Sequence, residues 1–181
     1  MIESFSRLLN KNALNVPSRQ HILNDEYYKK IDAIQFTMNH DDGNAIDDIE
    51  KSDIILIGVS RTSKTPTSIY LANKGYKVSN IPIVNKDSIP ESVKKNKLKK
   101  CVIGLIAEPE RLVEIRKNRM TSLKETGNQK YTNLQKIKDE VENSKKTFQK
   151  FKWPTIDVSR KSVEETAASV IKIFEINRKN A

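Results

Sequence analysis

Short apolar runs alternate with polar segments of helical periodicity along most of the chain. The run Ile54 to Ile57 is continuous and branched, which is typical of a parallel strand buried on both faces. Apolar runs also predict strands over Tyr76 to Val84, Cys101 to Ala107 and Thr155 to Val158. Because these strands alternate with helical patterns, the sequence predicts an α/β fold in three layers, with a parallel sheet between helices.

Two helices are predicted from apolar residues that recur every three or four positions. The first starts at Asp25, and its core-facing residues should be Tyr27, Ile31, Ile34 and Met38. The second follows Pro109, which suits the first turn of a helix. In that helix we expect Leu112 and Ile115 to point inward. Its three arginines should point elsewhere: Arg111, Arg116 and Arg119.

A long amphipathic helix is predicted from Tyr131 to Phe151. Its inner face should comprise Leu134, Ile137, Val141 and Phe148. Ser162 to Glu165 matches a capping box, which predicts the start of the last helix. The predicted organisation is a leader over residues 1–24 followed by one domain over residues 25–181, with no composition change that demands a second domain.

The segment between the strand at Ile54 and its helix carries the candidate chemistry. Gly58, Lys64 and Thr65 have the spacing of the P-loop pattern G-x-x-x-x-G-K-[ST], and Ser63 replaces the second glycine. Backbone N–H groups of such a loop bind phosphate, its lysine reaches the terminal phosphate and its hydroxyl ligates Mg²⁺. The predicted nucleotide-binding residues are Gly58, Val59, Ser60, Arg61, Thr62, Ser63, Lys64 and Thr65. The alternative is an ordinary turn with a solvated lysine.

Three other groups of polar residues each have two interpretations. Gly43 could cap the end of the first helix in the left-handed conformation, or the adjacent Asp41 and Asp42 could hold a metal or accept a proton near the loop. Asp157, at a strand end, could contact Mg²⁺ or cap the chain. The arginines after Pro109 could bind phosphate or form a solvated basic face.

Composition excludes several classes of function. The 181 residues carry a formal net charge of +10, but the lysines are spread out and few aromatic residues lie among them, which favours solvated helix faces over nucleic-acid binding. No apolar run is long enough to span a membrane and no signal-peptide core is present. The single cysteine, Cys101, lies in an apolar run and indicates a buried thiol in a cytoplasmic protein. The sequence leaves open whether the chain forms a homo-oligomer.

With these segments identified, the chain resembles the pyruvate, phosphate dikinase regulatory proteins, bifunctional enzymes of bacteria and plants. The resemblance rests on GVSRTSKTPTSIYLANKGYKVSNIPIV, and also on YYKKIDAIQFTMNHDDG, GLIAEPERLVEIRKNRM and WPTIDVSRKSVEETAA. It extends from about His21 to about Ala168. A sister group acts on phosphoenolpyruvate synthase and typically has Gly-Lys-Thr in the loop, so Ser63 favours the dikinase branch.

The resemblance implies a serine/threonine-protein kinase, a transferase that uses ADP as donor. Such enzymes move the β-phosphate of ADP to an active-site threonine of pyruvate, phosphate dikinase, which inactivates the dikinase and leaves AMP. They also act as pyrophosphorylases, in which inorganic phosphate attacks the phosphothreonine and releases pyrophosphate. In this chain Lys64 would neutralise charge at the β-phosphate, Thr65 would ligate Mg²⁺, and Asp41 or Asp42 would orient the target hydroxyl.

One departure from the family bears on activity. Family members carry a further N-terminal region with a Ser-Asp-Gly-Thr-Gly-Glu-Thr type of segment, and none precedes His21 in this sequence. We therefore expect the chain to lack that region, whose loss could remove part of the active site, of the partner-docking surface or of the dimer contact. ADP binding is thus a safer prediction than turnover. Two other functions stay open. One is a small-molecule kinase with a P-loop, and the other is a nucleotide-binding remnant without turnover.

Overall fold

The computed structural model describes residues 6–8, 10–11, 25–43, 46–84, 88–95, 100–123 and 131–179. Its strands are β1 (Ile54–Gly58), β2 (Val78–Pro82), β3 (Cys101–Ile106) and β4 (Thr155–Asp157). Its α-helices are α1 (Asp25–Asn39), α2 (Lys64–Ala72), α3 (Glu91–Lys94), α4 (Pro109–Leu123), α5 (Leu134–Lys150) and α6 (Val163–Lys179). Short 3₁₀ helices cover Asp41–Gly43 and Ile46–Lys51. The predicted leader lies largely outside the described residues, so the domain boundary stays a prediction.

The four strands form one parallel sheet in the order β2-β1-β3-β4. β1 lies between two partners and all five of its residues are buried, as its continuous apolar run predicts. In this register Gly58 is level with Pro82 of β2 and Leu105 of β3. The carboxyl ends of all four strands therefore meet at one edge of the sheet, where the loop after β1 is central.

Helices cover both faces of the sheet, which confirms the predicted α/β fold. On one face Ile54 and Leu56 pack in a cluster with Leu71 of α2 and Val170 of α6. On the other face Ile55 and Ile57 pack with Val93 of α3 and Phe148 of α5. Successive residues of a strand point to opposite faces, so the alternating membership of β1 in the two clusters follows from strand geometry.

The predicted core face of α1 is wrong. Tyr27, Ile31 and Met38 are exposed, the last with 64% of its surface, whereas a different stripe of the helix is buried: Ala33, Phe36 and Thr37. The reason is a hydrogen bond, because the Thr37 hydroxyl accepts the backbone N–H of Val78 at 3.1 Å. A second bond joins the N–H of Asn80 to the carbonyl of His40 at 3.0 Å. The end of α1 thus covers β2, the edge strand.

Two further positions differ from the predicted pattern. Leu134, expected in the inner face of α5, is the first residue of the helix and is 40% exposed, because the buried stripe begins one turn later at Ile137. β2 covers only Val78–Pro82 and is shorter than the apolar run from Tyr76 to Val84. Pro82 is tolerated there because the N–H groups of Val78 and Asn80 point away from β1, so position 82 needs no N–H for the sheet.

Several local predictions are confirmed. Gly75 follows α2 with φ 89°, a conformation that suits glycine at a helix end. Ser162 and Glu165 exchange the two hydrogen bonds of a capping box, at 2.8 and 3.1 Å. Cys101 is buried, and burial raises the pKa of its thiol.

Within the described ranges, no helix has the length and apolar character needed to cross a membrane.

Candidate functional site

The loop between β1 and α2 begins at a glycine that the packing requires. A Cβ at Gly58 would lie 2.6 Å from the carbonyl oxygen of Leu105 on β3 and 2.7 Å from the Thr62 hydroxyl. Thr62 is buried and donates to the carbonyl of Val59 at 3.0 Å. The same carbonyl accepts a hydrogen bond from Lys64 Nζ at 2.9 Å. The loop is therefore tightly folded over the end of β1.

Two residues of the loop have a left-handed backbone although neither is glycine. Arg61 has φ 71° and Ser63 has φ 56°. This conformation costs a non-glycine residue about 1–2 kcal/mol. Ser63 occupies the position of the second glycine in the P-loop pattern, directly before α2. The chain thus has the backbone conformation that glycine favours at this position, but a serine holds it.

Lys64 is the first residue of α2 and only 5% of its surface is exposed. Burial lowers the pKa of Lys64 to about 8. The carboxylates of Asp42 and Asp41 oppose this shift, while the positive charges of Arg116 and Arg61 add to it. An anion bound beside Lys64 would favour its charged form and raise its pKa.

Thr65 belongs to a small polar cluster at the start of α2. Its hydroxyl donates to Asp41 Oδ1 at 3.0 Å. Asn80 of β2 donates from Nδ2 to the same carboxylate oxygen, and to the Thr65 hydroxyl oxygen at 3.1 Å. The side-chain amide oxygen of Asn80, Oδ1, is buried and has no hydrogen-bond partner among the described residues. Three residues that are far apart in sequence therefore meet at the start of α2.

Asn80 was missed by the sequence analysis. It is a fully buried amide inside an apolar edge strand, at a position level with Leu56 of β1. The available signal was a pair of adjacent polar residues, Ser79 and Asn80, in a strand that packs against a core. A strand does not reveal which loop it will contact, so only the structure brings Asn80 to Asp41.

The turn after α1 supplies both carboxylates. His40 is buried and stacks on Phe36 with ring centroids 3.8 Å apart, and its Nδ1 donates to the Phe36 carbonyl at 2.8 Å. His40 therefore holds the turn rather than facing the loop. Asp42 is exposed and has φ 52°, and Gly43 has φ 79°. The left-handed residues begin one position before the predicted glycine cap.

Arg116 is a correction to the predicted orientation of α4. It was expected to point away from the core, but only 1% of its surface is exposed. Its guanidinium donates to the carbonyl of Ser60 at 3.3 Å, to the carbonyl of Tyr131 at 3.2 Å and to Glu140 Oε2 at 2.7 Å. Ser60 Oγ lies 3.0 Å from the Tyr131 hydroxyl. Arg116 therefore ties the loop to α5 and does not project to bind a free phosphate.

Asp157 lies away from the cluster around Thr65 and has a capping role. It accepts hydrogen bonds from the N–H and the hydroxyl of Ser159, at 2.9 and 2.6 Å. Burial tends to raise the pKa of Asp157, but these bonds and the charges of Lys145 and Lys161 lower it overall. Within the described part of the chain, no group of three or more His, Cys, Asp and Glu side chains could hold a metal ion.

Comparisons with known proteins give a consistent assignment. The profile of a family described as kinase/pyrophosphorylase matches residues 1–171, a longer match than the resemblance that begins at about His21. A protein of Pelagibacter ubique, provisionally named a pyruvate, phosphate dikinase regulatory protein, is 67% identical over 180 residues, which is 99% of this chain. Proteins of Rhizorhabdus wittichii and Bradyrhizobium have the same provisional name and are 46% and 45% identical over 181 and 175 residues, or 100% and 96% of this chain.

The chain is shorter than these relatives. It covers 66% of the Pelagibacter protein, 65% of the Rhizorhabdus protein and 62% of the Bradyrhizobium protein. The similarity includes the loop after β1 and the turn that carries Asp41 and Asp42.

Proposed function

The chain belongs to the kinase/pyrophosphorylase family, and we propose that it phosphorylates an active-site threonine of pyruvate, phosphate dikinase with ADP as the donor. We further propose that it removes this phosphate again with inorganic phosphate as the acceptor. The names of the relatives support the dikinase as the target protein. The resemblance to the regulatory-protein family implies the ADP-dependent chemistry.

The proposal rests on one observation: the Thr65 hydroxyl is hydrogen-bonded to Asp41, next to the buried Lys64. Phosphoryl transfer needs donors that bind the phosphates, a positive charge at the transferred group and a carboxylate that receives the proton of the attacking hydroxyl. The loop from Gly58 to Thr65 offers backbone N–H groups and an α-helix N-terminus for the first task. Lys64 offers the charge.

Asp42 is the better candidate for the proton acceptor. Asp41 already accepts hydrogen bonds from Thr65 and Asn80, which orient it towards the loop. Asp42 is exposed, and its charge acts on Lys64 more strongly than that of Asp41. We therefore assign Asp42 to the hydroxyl of the incoming threonine, and Asp41 to holding Thr65 in place.

In the forward step the oxygen of the target threonine attacks the β-phosphorus of ADP, and its proton goes to Asp42. The bond between the β-phosphorus and the bridging oxygen breaks, and AMP leaves with the electron pair. Lys64 stabilises the negative charge on the transferred group. In the second reaction an oxygen of inorganic phosphate gives its proton to Asp42 and attacks the phosphothreonine phosphorus. The bond from that phosphorus to the threonine oxygen breaks, pyrophosphate leaves, and the threonine oxygen takes the proton from Asp42.

The residues near Thr65 fit a magnesium ion. Thr65 and Asp41 present side-chain oxygen atoms. The side-chain oxygen Oδ1 of Asn80 lacks a hydrogen-bond partner among the described residues. Mg²⁺ prefers oxygen ligands of this kind together with substrate phosphates. The ion would neutralise charge on the phosphates of ADP. This donor set would hold Mg²⁺ only together with the nucleotide, since it provides few protein ligands of its own.

The decisive experiment measures transfer of label from β-³²P-labelled ADP to purified pyruvate, phosphate dikinase. The wild-type chain should label a dikinase threonine, and an excess of unlabelled ATP should not suppress the reaction. Lys64→Ala should abolish the label, and Asp42→Asn should abolish it while leaving ADP affinity within about twofold, because Asp42 acts on the acceptor. Lys172→Ala and Asp48→Asn are matched controls, since both residues are exposed and lie on other elements.

Each other outcome has a definite meaning. If ADP binds in a parallel titration but no label is transferred, the chain binds nucleotide without turnover and the kinase proposal fails. If ATP is the donor and a free metabolite is labelled, the chain is a small-molecule kinase. If Asp42→Asn retains full transfer, Asp42 is not the proton acceptor.

A further inference from the structure

A long groove lies between α3 and α5, on the face of the sheet that carries Ile55 and Ile57. It has a volume of about 990 Å³. α5 forms one wall along most of its length, because the lining residues of this helix recur every three or four positions from Lys136 to Lys150. At 1.5 Å per residue this wall is about 21 Å long. The groove therefore matches the length of a helix of about four turns and is too long for a nucleoside.

The groove exists because α3 is short. α3 has four residues, whereas α2 on the opposite face of the sheet has nine. Apolar side chains at the floor of the groove are consequently only partly covered: Ile83 and Phe151 lie at the margin of the cluster around Ile57, and Val84 is 79% exposed. Parallel sheets are normally covered by helices on both faces. The groove thus has the position and the apolar floor that a further helix would cover.

The rim of the groove is positively charged. Five lysines and three carboxylates are among the described residues that line it. Two of the carboxylates, Glu91 and Glu140, already bind cations of this chain. Lys136 and Lys150, near the two ends of the α5 wall, have no ion-pair partner in the part of the chain that the structure describes. An acidic partner with an apolar stripe complements this rim and floor, whereas a second copy of a chain with a net charge of +10 does not.

One end of the groove reaches the nucleotide loop. The backbone N–H of Ile83 donates to the carbonyl of Gly58 at 3.0 Å. On the opposite wall Glu140 binds Arg116, which donates to the carbonyl of Ser60 at 3.3 Å. Both walls are thus bonded to the loop, and the groove leads away from it along α5. A polypeptide bound in the groove would bring the residues next to it in its own chain close to the loop.

From these observations we propose that the groove between α3 and α5 binds an acidic, amphipathic helix of the protein substrate, pyruvate, phosphate dikinase. The proposal rests on the function proposed above, because it takes the dikinase as the partner. The apolar face of the bound helix covers Ile83, Ile89 and Phe151, and its carboxylates pair with Lys136 and Lys150. Docking in the groove selects the acceptor protein without contacting the phosphates of ADP.

The kinetics of transfer from β-³²P-labelled ADP to purified dikinase test this docking surface. Lys136→Glu and Lys150→Glu should each raise the KM for the dikinase about tenfold at low salt, and high salt should reduce this difference. The kcat and the KM for ADP should not change, because the substitutions repel the partner and not the nucleotide. Lys145→Glu is the matched control, since Lys145 is exposed on the same helix, undergoes the same charge change and does not line the groove. It should change the KM less than about twofold.

A second variant blocks the groove without changing its charge. Asn143 is exposed in the middle of the α5 wall, so the indole of Asn143→Trp would fill the groove while the core stays unchanged. The KM for the dikinase should rise about tenfold or more at low and at high salt, because steric exclusion is not screened by ions. Thermal melts check that each exposed substitution leaves the fold intact.

The other outcomes overturn the proposal, and each has its own meaning. If the wild type transfers label and the groove variants show the same KM for the dikinase, the partner docks elsewhere. If Asn143→Trp raises the KM for ADP instead, the groove holds the adenosine. If Asn143→Trp dissociates a dimer of the wild-type chain in sedimentation, a second copy occupies the groove. A wild-type chain that transfers no label refutes the proposed function itself, and the dikinase is then not the occupant.

Discussion

Replacing Lys64 by methionine should stabilise the nucleotide-free protein while it weakens ADP binding. Methionine has a similar length and is apolar, so it can fill the same buried space without a charge. The carbonyl of Val59 would not lose its only partner, because the Thr62 hydroxyl also donates to it at 3.0 Å. The substitution therefore isolates the cost of burying the ammonium.

The magnitude follows from the pKa of Lys64, which burial lowers from 10.5 to about 8. At about 1.4 kcal/mol per pKa unit, this difference corresponds to a penalty of roughly 3 kcal/mol on the folded state at neutral pH. The lost hydrogen bond to Val59 offsets about 1 kcal/mol of this. We expect Lys64→Met to raise the free energy of unfolding by about 2 kcal/mol at pH 7.

The pH dependence gives a second test, whose sign follows from linkage. Unfolded Lys64 keeps its proton up to its ordinary pKa of 10.5, whereas in the folded protein it loses the proton near pH 8. The penalty is therefore complete below about pH 8 and disappears as the pH rises to 10.5. The wild type should gain stability relative to Lys64→Met over this interval, until the advantage of the variant is gone.

Denaturation by urea at pH 7 and at pH 10 measures both effects, with Lys172→Met as a control that removes an exposed lysine. The control should change stability by less than about 0.5 kcal/mol. If Lys64→Met destabilises the protein by more than 1 kcal/mol at both pH values, the ammonium is stabilised in the folded state and the reasoning is wrong. ADP affinity should fall about 10- to 100-fold.

Three further substitutions test the packing around the site. Ser63→Gly should raise the free energy of unfolding by roughly 0.5–1 kcal/mol, because glycine adopts φ 56° without strain; a loss in urea denaturation would contradict this. Gly104→Ala should cost about 2 kcal/mol, since the new Cβ would lie 2.5 Å from the Phe148 ring, and Phe148→Leu in the same chain should recover part of the loss. Glu140→Gln removes the carboxylate from the buried Arg116 guanidinium and should cost about 1–2 kcal/mol, since the Glu140 side chain is 39% exposed, whereas Glu140→Leu combined with Arg116→Met should cost less in the same assay.

The central unit of the fold could be predicted because its signals are local. Each of these signals lies within one element or at its ends: the apolar run of β1, the spacing from Gly58 to Thr65 and the glycine at position 75. The structure also brings Asp41 to Thr65, as expected of two polar segments that come after neighbouring elements. Their roles in binding and catalysis stay predictions.

The misses at Arg116 and in α1 involve contacts between distant segments. Arg116 has the spacing of a solvated helix residue, and its burial depends on Glu140 in another helix. The buried stripe of α1 contains Thr37, which hydrophobicity ranks below the exposed Ile31 and Met38. Thr37 is buried because it bonds the edge of β2, and no periodicity in the sequence of α1 contains that information.

The attachment of the α1 turn to the edge of the sheet has a consequence for hydrogen exchange. Lys64 begins a helix that packs on the central strand, whereas the turn with Asp41 and Asp42 is joined to β2 by the Asn80 N–H and a few side-chain bonds. Amides at the edge open with a smaller free energy than those of the core. Mild denaturant should therefore release the acidic turn first, so that Asp42, the proposed proton acceptor, leaves the loop while β1 and α2 stay folded.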